Sequence, residues 1–267
     1  MTGRGRDALT SEEFFDTALL RFPALDALGS FSHAITTRPW NMAPHRGPDA
    51  ERAVERRRRV CDHLGFAFER LTAPEQIHGG LVIPVASSDV GAGRFGREGA
   101  VRFVDGLVCD RPGVPVLQLS ADCPLIVAVD PEGRAFGVAH ASWRGTVARI
   151  AEALVGQMVD AFDTHPDGLL VAICPCAGPD RYEVGDDLRR VACAALRGAE
   201  RYFPRGSSGR CCFDLRAANV DQLLGAGVRK ERIHVAEACT IGDERFYSHR
   251  REGERTGRFA VIAGFHE

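Results

Sequence analysis

Two residues with chemistry to offer, Cys123 and His140, stand at opposite ends of consecutive apolar runs, Cys123 to Val129 and Ala135 to His140. Between the runs lies Asp130-Pro131-Glu132-Gly133, in which Pro presets φ and Gly accepts positive φ, so the segment reads as a β-hairpin. If Val129 lies opposite Arg134, pairing steps outward through Ile126 with Gly137 and reaches Cys123 with His140. A tighter turn pairing Asp130 with Gly133 gives the same register. Directly opposed residues share a sheet face with Cβ atoms about 4.5–5.5 Å apart. One Zn²⁺ could bridge such a pair, since its bonds to thiolate sulfur and imidazole nitrogen are about 2.3 Å and 2.0–2.1 Å. The same closeness suits a nucleophilic thiol that passes its proton to the imidazole, and a buried thiol beside an unrelated histidine is the third reading. A catalytic metal site takes a third protein ligand and keeps one position open. His78 is the best candidate for that ligand, standing between Ile77 and the Gly79-Gly80 pair that permits close approach; the residues alone leave it open.

The elements that must position these groups alternate irregularly. A strand is expected from Phe31 to Thr37, then a helix begun at Pro48-Asp49 and stopped at Gly65, with Arg56 to Arg59 mostly facing water. Leu81 to Val85 reads as a strand and Gly91 to Gly99 as a mobile loop. Gly106 to Cys109, Val114 to Leu119 and the two hairpin runs are short, apolar and rich in Val, Leu or Ile, as buried strands are. A long helix is expected from Gly145-Thr146 to about Phe162, a strand over 169–173, helices over 186–196 and 220–224, and closing strands over 233–236 and 258–263. Strands interleaved with helices around an antiparallel hairpin predict an α+β fold, mixed β-sheets flanked by helices in a layered α/β/β/α-type sandwich. Residues 1–30 read as a poorly specified N-terminal lead-in and 31–267 as a single domain.

A chain of 267 residues can bury a substantial core without staples. The net charge of -2 favours neither nucleic acid nor a membrane surface, so a small-molecule partner is the expectation. The nine cysteines are odd in number and scattered, which is not a disulfide framework. No signal peptide or membrane-length apolar run is visible, and a cytoplasmic location follows as an expectation.

Further segments make the chain recognisable: Gln76-Ile-His-Gly79, Val104-Asp-Gly-Leu107, Ala121-Asp-Cys-Pro124, His140-Ala-Ser-Trp-Arg-Gly145, Tyr182-Glu-Val-Gly185, Cys239-Thr240, Phe246-Tyr-Ser-His-Arg-Arg251 and Thr256-Gly-Arg258. In this order they resemble the bacterial family variously described as laccase-domain proteins, purine nucleoside phosphorylases and peptidoglycan-editing factors. The resemblance implies one metal per chain, usually zinc, on His78, Cys123 and His140. It implies phosphorolysis of adenosine, inosine and methylthioadenosine to the free base and ribose 1-phosphate, and deamination of adenosine. Asp122 is then a candidate catalytic acid or support for the metal ligands, its bland alternative being a carboxylate that caps local amides. Phosphate calls for an arginine fork, for which Arg144 is best placed at a helix start; Arg57 aligns with a family arginine, with a surface role as its alternative. Arg250 and Arg251 could instead pair with carboxylates. Arg56, Cys109, Ser142 and Cys174 depart from the family's usual residues without touching the ligand set.

A true laccase is rejected on coordination chemistry. A multicopper cluster needs many histidines, largely in His-x-His pairs, and this chain has nine histidines and no such pair; one copper could still occupy the single site in vitro. The alternatives are a metal-free Cys123/His140 hydrolase acting on an amide or a peptidoglycan precursor, and a non-catalytic cell-wall-associated binding protein.

Overall fold

A computed structural model of the chain describes residues 9–267. Its first sheet is antiparallel throughout, in the order β1 (Thr10–Phe14), β2 (Thr17–Arg21), β3 (Phe31–Thr36), β11 (Phe259–Phe265) and β6 (Val116–Ser120). The second runs β10 (Ile233–Val235), β9 (Leu170–Ile173), β7 (Leu125–Asp130), β8 (Ala135–His140), β5 (Gly106–Cys109) and β4 (Val82–Pro84). Only its two outermost pairs, β10 with β9 and β5 with β4, are parallel.

The near-continuous apolar runs of these strands are explained by burial on both faces, because successive side chains alternate sides. Val127 and Val129 of β7 point into a core shared with Val261, Ala263 and Phe265 of β11, so the two sheets stack on one another. Ile126 and Ala128 face the other way, against Ile150, Leu154 and Met158 of helix α4 (Ile150–Phe162) and Leu223 of α6 (Leu215–Gly225). On the far side, Ala260 and Ile262 of β11 pack against Val60, Cys61 and Leu64 at the end of α2 (Ala53–His63). The layers are therefore helix, sheet, sheet, helix, as the interleaved pattern predicts. No helix among the described residues is long and apolar enough to cross a membrane.

Several local expectations change. Of the residues read as a lead-in, 1–8 lie outside the described residues and the rest form β1, β2 and the short α1 (Pro23–Asp26), with Leu19, Leu20, Phe22 and Leu25 buried. The Arg56 to Arg59 run does not simply face water: Arg56 and Arg57 are buried while Arg58 and Arg59 reach outward to Glu69 and Glu55. The Gly91 to Gly99 loop is pinned rather than free, since Arg57 Nη1 donates to the carbonyls of Gly93 and Arg94, both at 3.0 Å. The long helix is broken into α3 (Trp143–Val147) and α4 by Arg149, which takes φ 64°. The break serves two cores, because Trp143 and Val147 pack with α5 (Asp186–Ala195) whereas α4 covers the second sheet.

The hairpin register is the main correction. Asp130 pairs with Ala135 and Leu125 with His140, so every pair lies two residues from the expected one. The turn holds four residues because Asp130 Oδ1 accepts the amides of Glu132 (3.1 Å) and Gly133 (2.9 Å), and it is Arg134, not Gly133, that takes the left-handed conformation at φ 53°. Cys123 consequently lies beyond the strand, and its nearness to His140 needs another cause.

Buried His33 of β3 accepts the Phe22 amide on Nε2 at 2.8 Å, while its Nδ1 faces Asp26 at 3.5 Å. Burial, reinforced by the charge of Arg21, pushes its pKa down from 6.5 to about 3. Below pH 6.5 the unfolded chain therefore binds a proton that the fold refuses, so this contribution is full above pH 6.5 and falls as the pH drops toward 3. His33→Gln keeps an acceptor and removes the titration. Urea midpoints measured from pH 7.5 to 4 should fall more steeply in the wild type than in H33Q; parallel curves contradict this.

Candidate metal centre and its pocket

Three main-chain segments converge at one end of the sandwich, and a single buried carboxylate ties two of them together. Asp105, immediately before β5, is fully buried. Its Oδ2 accepts the amides of Ile77 (3.0 Å) and Gly79 (2.7 Å), and its Oδ1 accepts the amide of His78 (3.0 Å) and lies 2.9 Å from His140 Nδ1. Burial alone would raise the Asp105 pKa, but the His140 hydrogen bond and charge, with the Gly79 and Ile77 amides, outweigh it and lower the value. The main chain grips as well: the His140 amide donates to the Asp105 carbonyl at 2.7 Å, and the buried Gln118 amide donates to the same carbonyl at 3.0 Å.

The loop carrying His78 is fastened from three sides. Gln76 imitates a strand residue, its side-chain amide exchanging two hydrogen bonds with the Leu119 main chain at 2.8 and 2.9 Å. His78 itself takes φ 62°, a conformation that costs a non-glycine residue and persists where surroundings hold it. Ser142 caps α3 by accepting the Gly145 amide at 3.0 Å, and its hydroxyl donates to the His78 carbonyl at 3.3 Å. One departure from the family pattern thus adds a tether to this loop. Gly145 cannot carry a side chain, because a Cβ there would sit 2.7 Å from the Gly79 carbonyl oxygen.

Cys123 arrives from a turn after β6. Asp122 adopts φ 99°, and Ser120 Oγ donates to the Cys123 carbonyl at 2.7 Å. The Asp122 carboxylate accepts Thr240 Oγ1 at 2.6 Å and the Arg250 amide, on α7 (His249–Glu252), at 2.7 Å, while its carbonyl accepts the Ala177 amide at 2.8 Å. This turn, rather than hairpin pairing, brings the thiol to the imidazole.

The result is one cluster in which a nitrogen of His78, the sulfur of Cys123 and a nitrogen of His140 all lie within 4.8 Å of one another. The two imidazoles meet edge to face with centroids 5.0 Å apart. With His140 Nδ1 directed at Asp105, its Nε2 is left for a ligand, the arrangement by which a carboxylate orients a metal-binding imidazole. Burial disfavours charge on His140, but the neighbouring Cys123 sulfur and Asp105 raise its pKa to about 9. His78, desolvated and beside His140, is lowered to about 4 and stays neutral at pH 7. Two imidazoles and a thiolate with an oriented ring and one side open to a cavity fit a zinc-type ion.

That cavity, about 650 Å³, has Trp143 and Tyr182 in its walls. Arg144 lies over the Trp143 ring at 4.4 Å and Arg250 over Tyr182 at 4.9 Å. Arg144 is exposed and has no carboxylate partner among the described residues. Arg57, only 2% exposed, is no surface residue; it lines the cavity while Nε donates to the Met42 carbonyl at 2.9 Å and Nη1 to the two loop carbonyls above. Arg250 meets Asp122 through its amide rather than its side chain, and Arg251 pairs with Glu252.

Residues that sequence reasoning left without a role also line the cavity. Buried Asn41 donates to the Arg46 carbonyl at 2.7 Å and accepts the Arg258 amide at 2.9 Å, holding these two arginines at the cavity beside His45. Burial and then the charge of Arg46 lower the Arg258 pKa. Cys109 and Cys174, by contrast, are sealed in the core between the sheets, where burial pushes both thiols up.

Fold and site define a two-sheet α+β protein with a single candidate mononuclear His/Cys/His centre among the described residues. The chain belongs to the multi-copper polyphenol oxidoreductase laccase family, whose model matches residues 28–266. It is 40% identical over 237 residues to the purine nucleoside phosphorylase YlmD of Geobacillus stearothermophilus, covering 85% of this chain and 84% of that one. It is 33% identical over 220 residues to the adenosine deaminase RL5 of an unknown prokaryotic organism, covering 82% and 84%. The crystal structure of YlmD from Geobacillus stearothermophilus superposes with a TM-score of 0.85 at 33% identity over 97% of this chain and all of that one.

Replacing Asp105 by Asn keeps its shape but removes the charge that four N–H groups address. Metal affinity, measured by competition with a chromogenic chelator, should fall about 10–100-fold. Unchanged affinity contradicts the role assigned to Asp105.

Proposed function

We propose that this chain is a zinc-dependent purine nucleoside phosphorylase that also deaminates adenosine. The observation that carries the reading is the convergence of His78, Cys123 and His140 at the wall of a cavity large enough for a nucleoside. The names of its relatives support the same class. Zinc bound there supplies Lewis acidity and lowers the pKa of water to about 7. The rest of the chemistry falls to the chain itself.

Trp143 and Tyr182 offer flat faces for a purine, and their stacked arginines fix the ring planes. Phosphorolysis needs a phosphate oxygen to reach C1′ as the bond to the base breaks. Arg144, lacking a carboxylate partner among the described residues, offers a planar fork for that phosphate, and Arg46 and Arg258 in the lining add positive charge for anionic ligands. Asp122 spends both carboxylate oxygens on Thr240 and the Arg250 amide; it serves by shaping the Cys123 turn, and proton transfer at the base passes to another group or to water.

A second reading has one observation in its favour. Asp105, His140 and Cys123 also form the orienter, base and nucleophile series of a thiol hydrolase. His78, placed within the same cluster, weighs toward metal.

The test is a zinc assay of protein purified without chelator, joined to a nucleoside panel with and without phosphate. About one zinc per chain and hypoxanthine released from inosine only when phosphate is present are expected; no base release in either condition overturns the reading. Cys123→Ala should lose metal and activity together, and full zinc occupancy in that variant removes Cys123 from the ligand set. Arg144→Ala should raise the KM for phosphate about 10–150-fold while leaving deamination nearly intact, the size expected for one lost charge-assisted contact of about 1.5–3 kcal/mol. Equal losses in both reactions point to damage rather than to phosphate binding.

A further inference from the structure

Behind the Cys123 turn lies a second pair of thiols. Cys176, following β9, and Cys239, following β10, are partners in a parallel β-bridge. Bridge partners direct their side chains to the same face, and neighbouring strands bring Cα atoms to about 4.8 Å, inside the range of about 4.4–6.8 Å that disulfides span. Both cysteines are free in the structure, Cys176 buried and Cys239 partly exposed.

Each sulfur has its own N–H donor. Cys239 Sγ accepts the Gly178 amide at 3.1 Å, and Cys176 Sγ accepts Arg216 Nε at 3.2 Å. Gly178 permits this approach, since a Cβ there would stand 3.0 Å from Cys239 Sγ. Arg216 is fixed by carbonyls of both strands, donating to Cys176, Glu237 and Ala238 at 3.2, 3.0 and 2.6 Å. The guanidinium thus holds the Cys176 sulfur and the backbone around both cysteines in place. Burial pushes the Cys176 thiol up to about 11, against the pull of Arg216, which leaves partly exposed Cys239 as the group that meets an oxidant first. Each cysteine is also followed by an anchor of Asp122: Ala177 through its amide and Thr240 through its hydroxyl.

We propose that Cys176 and Cys239 are a redox-reactive dithiol that closes to a disulfide under hydroperoxide. The Cys239 sulfur attacks one peroxide oxygen, the O–O bond breaks, and Cys239 becomes a sulfenic acid as the leaving hydroxide takes up the proton released by the thiol and departs as the first water. The Cys176 sulfur attacks Cys239 Sγ and expels the sulfenic oxygen as the second water, its thiol proton completing that water. The two sulfurs lose two electrons and the peroxide gains them; exchange with a small dithiol restores both thiols. The assignment is independent of the nucleoside reading, because its test uses no nucleoside.

The metal-loaded, full-length protein is treated with hydrogen peroxide, blocked with N-ethylmaleimide and digested with trypsin without reduction. Residues 150–181 and 233–245 should appear as one cross-linked species two hydrogens lighter than the separate thiol peptides. Fragment ions on either side of Pro175 should place the link at Cys176 rather than Cys174. The species should vanish on dithiothreitol treatment and be absent from Cys176→Ser and Cys239→Ser. Limited N-ethylmaleimide on the untreated protein should label Cys239 before Cys176. Recovery of Cys239 as a sulfinic acid with Cys176 still a free thiol, or a link through Cys174 or Cys123, overturns the proposal. The wild-type peptide map decides even if neither serine variant folds.

Discussion

A buried carboxylate without partners costs several kcal/mol, and Asp105 avoids that cost by gathering four N–H groups. Three belong to consecutive amides of the Ile77 to Gly79 loop, which no regular strand pairing would order. The fourth is the ring of His140. One side chain thus sets the backbone of one candidate ligand and the ring orientation of another. Because Asp105 adjoins β5, whose neighbours in the sheet are β4 and β8, its position is fixed by the sheet rather than by a mobile loop.

The remaining architecture follows from where each segment can be anchored. Sheet-on-sheet packing buries both faces of β7 and β8 and so fixes His140 at a strand end. The broken helix lets α3 press its glycine against the His78 loop while α4 covers the sheet. Cys123 has no strand to hold it, and its turn is fastened instead through Asp122 to Thr240 and to the amides of Ala177 and Arg250. The cavity stays open and cationic because Arg57 and Asn41 secure the loops around it from within.

The strands from β3 onward and the layered sandwich were legible because burial on both faces leaves runs of Val, Ile, Leu and Ala, whereas β1 and β2 were not. The Cys123 and His140 meeting was reached by a register that proved two residues out: Asp130 caps its own turn and lengthens it, an effect that a count of residues does not contain. His78 was a candidate from its two glycine neighbours and was assigned as a ligand only with the family resemblance, since those neighbours alone do not mark a histidine as a ligand. Asp105 carried a signal that went unused, a lone acid between Val104 and Gly106 in an otherwise apolar stretch. Arg57 misled because buried arginines are rare and its partners are carbonyls distant in the sequence.

The central claim is that one metal ion sits on His78, Cys123 and His140. X-ray absorption at the zinc edge, on protein purified without chelator, tests it most directly. The account predicts a first shell with one sulfur at about 2.3 Å and nitrogen neighbours at about 2.0–2.1 Å showing imidazole scattering; a shell of light atoms without sulfur, or one of several sulfurs, would contradict it.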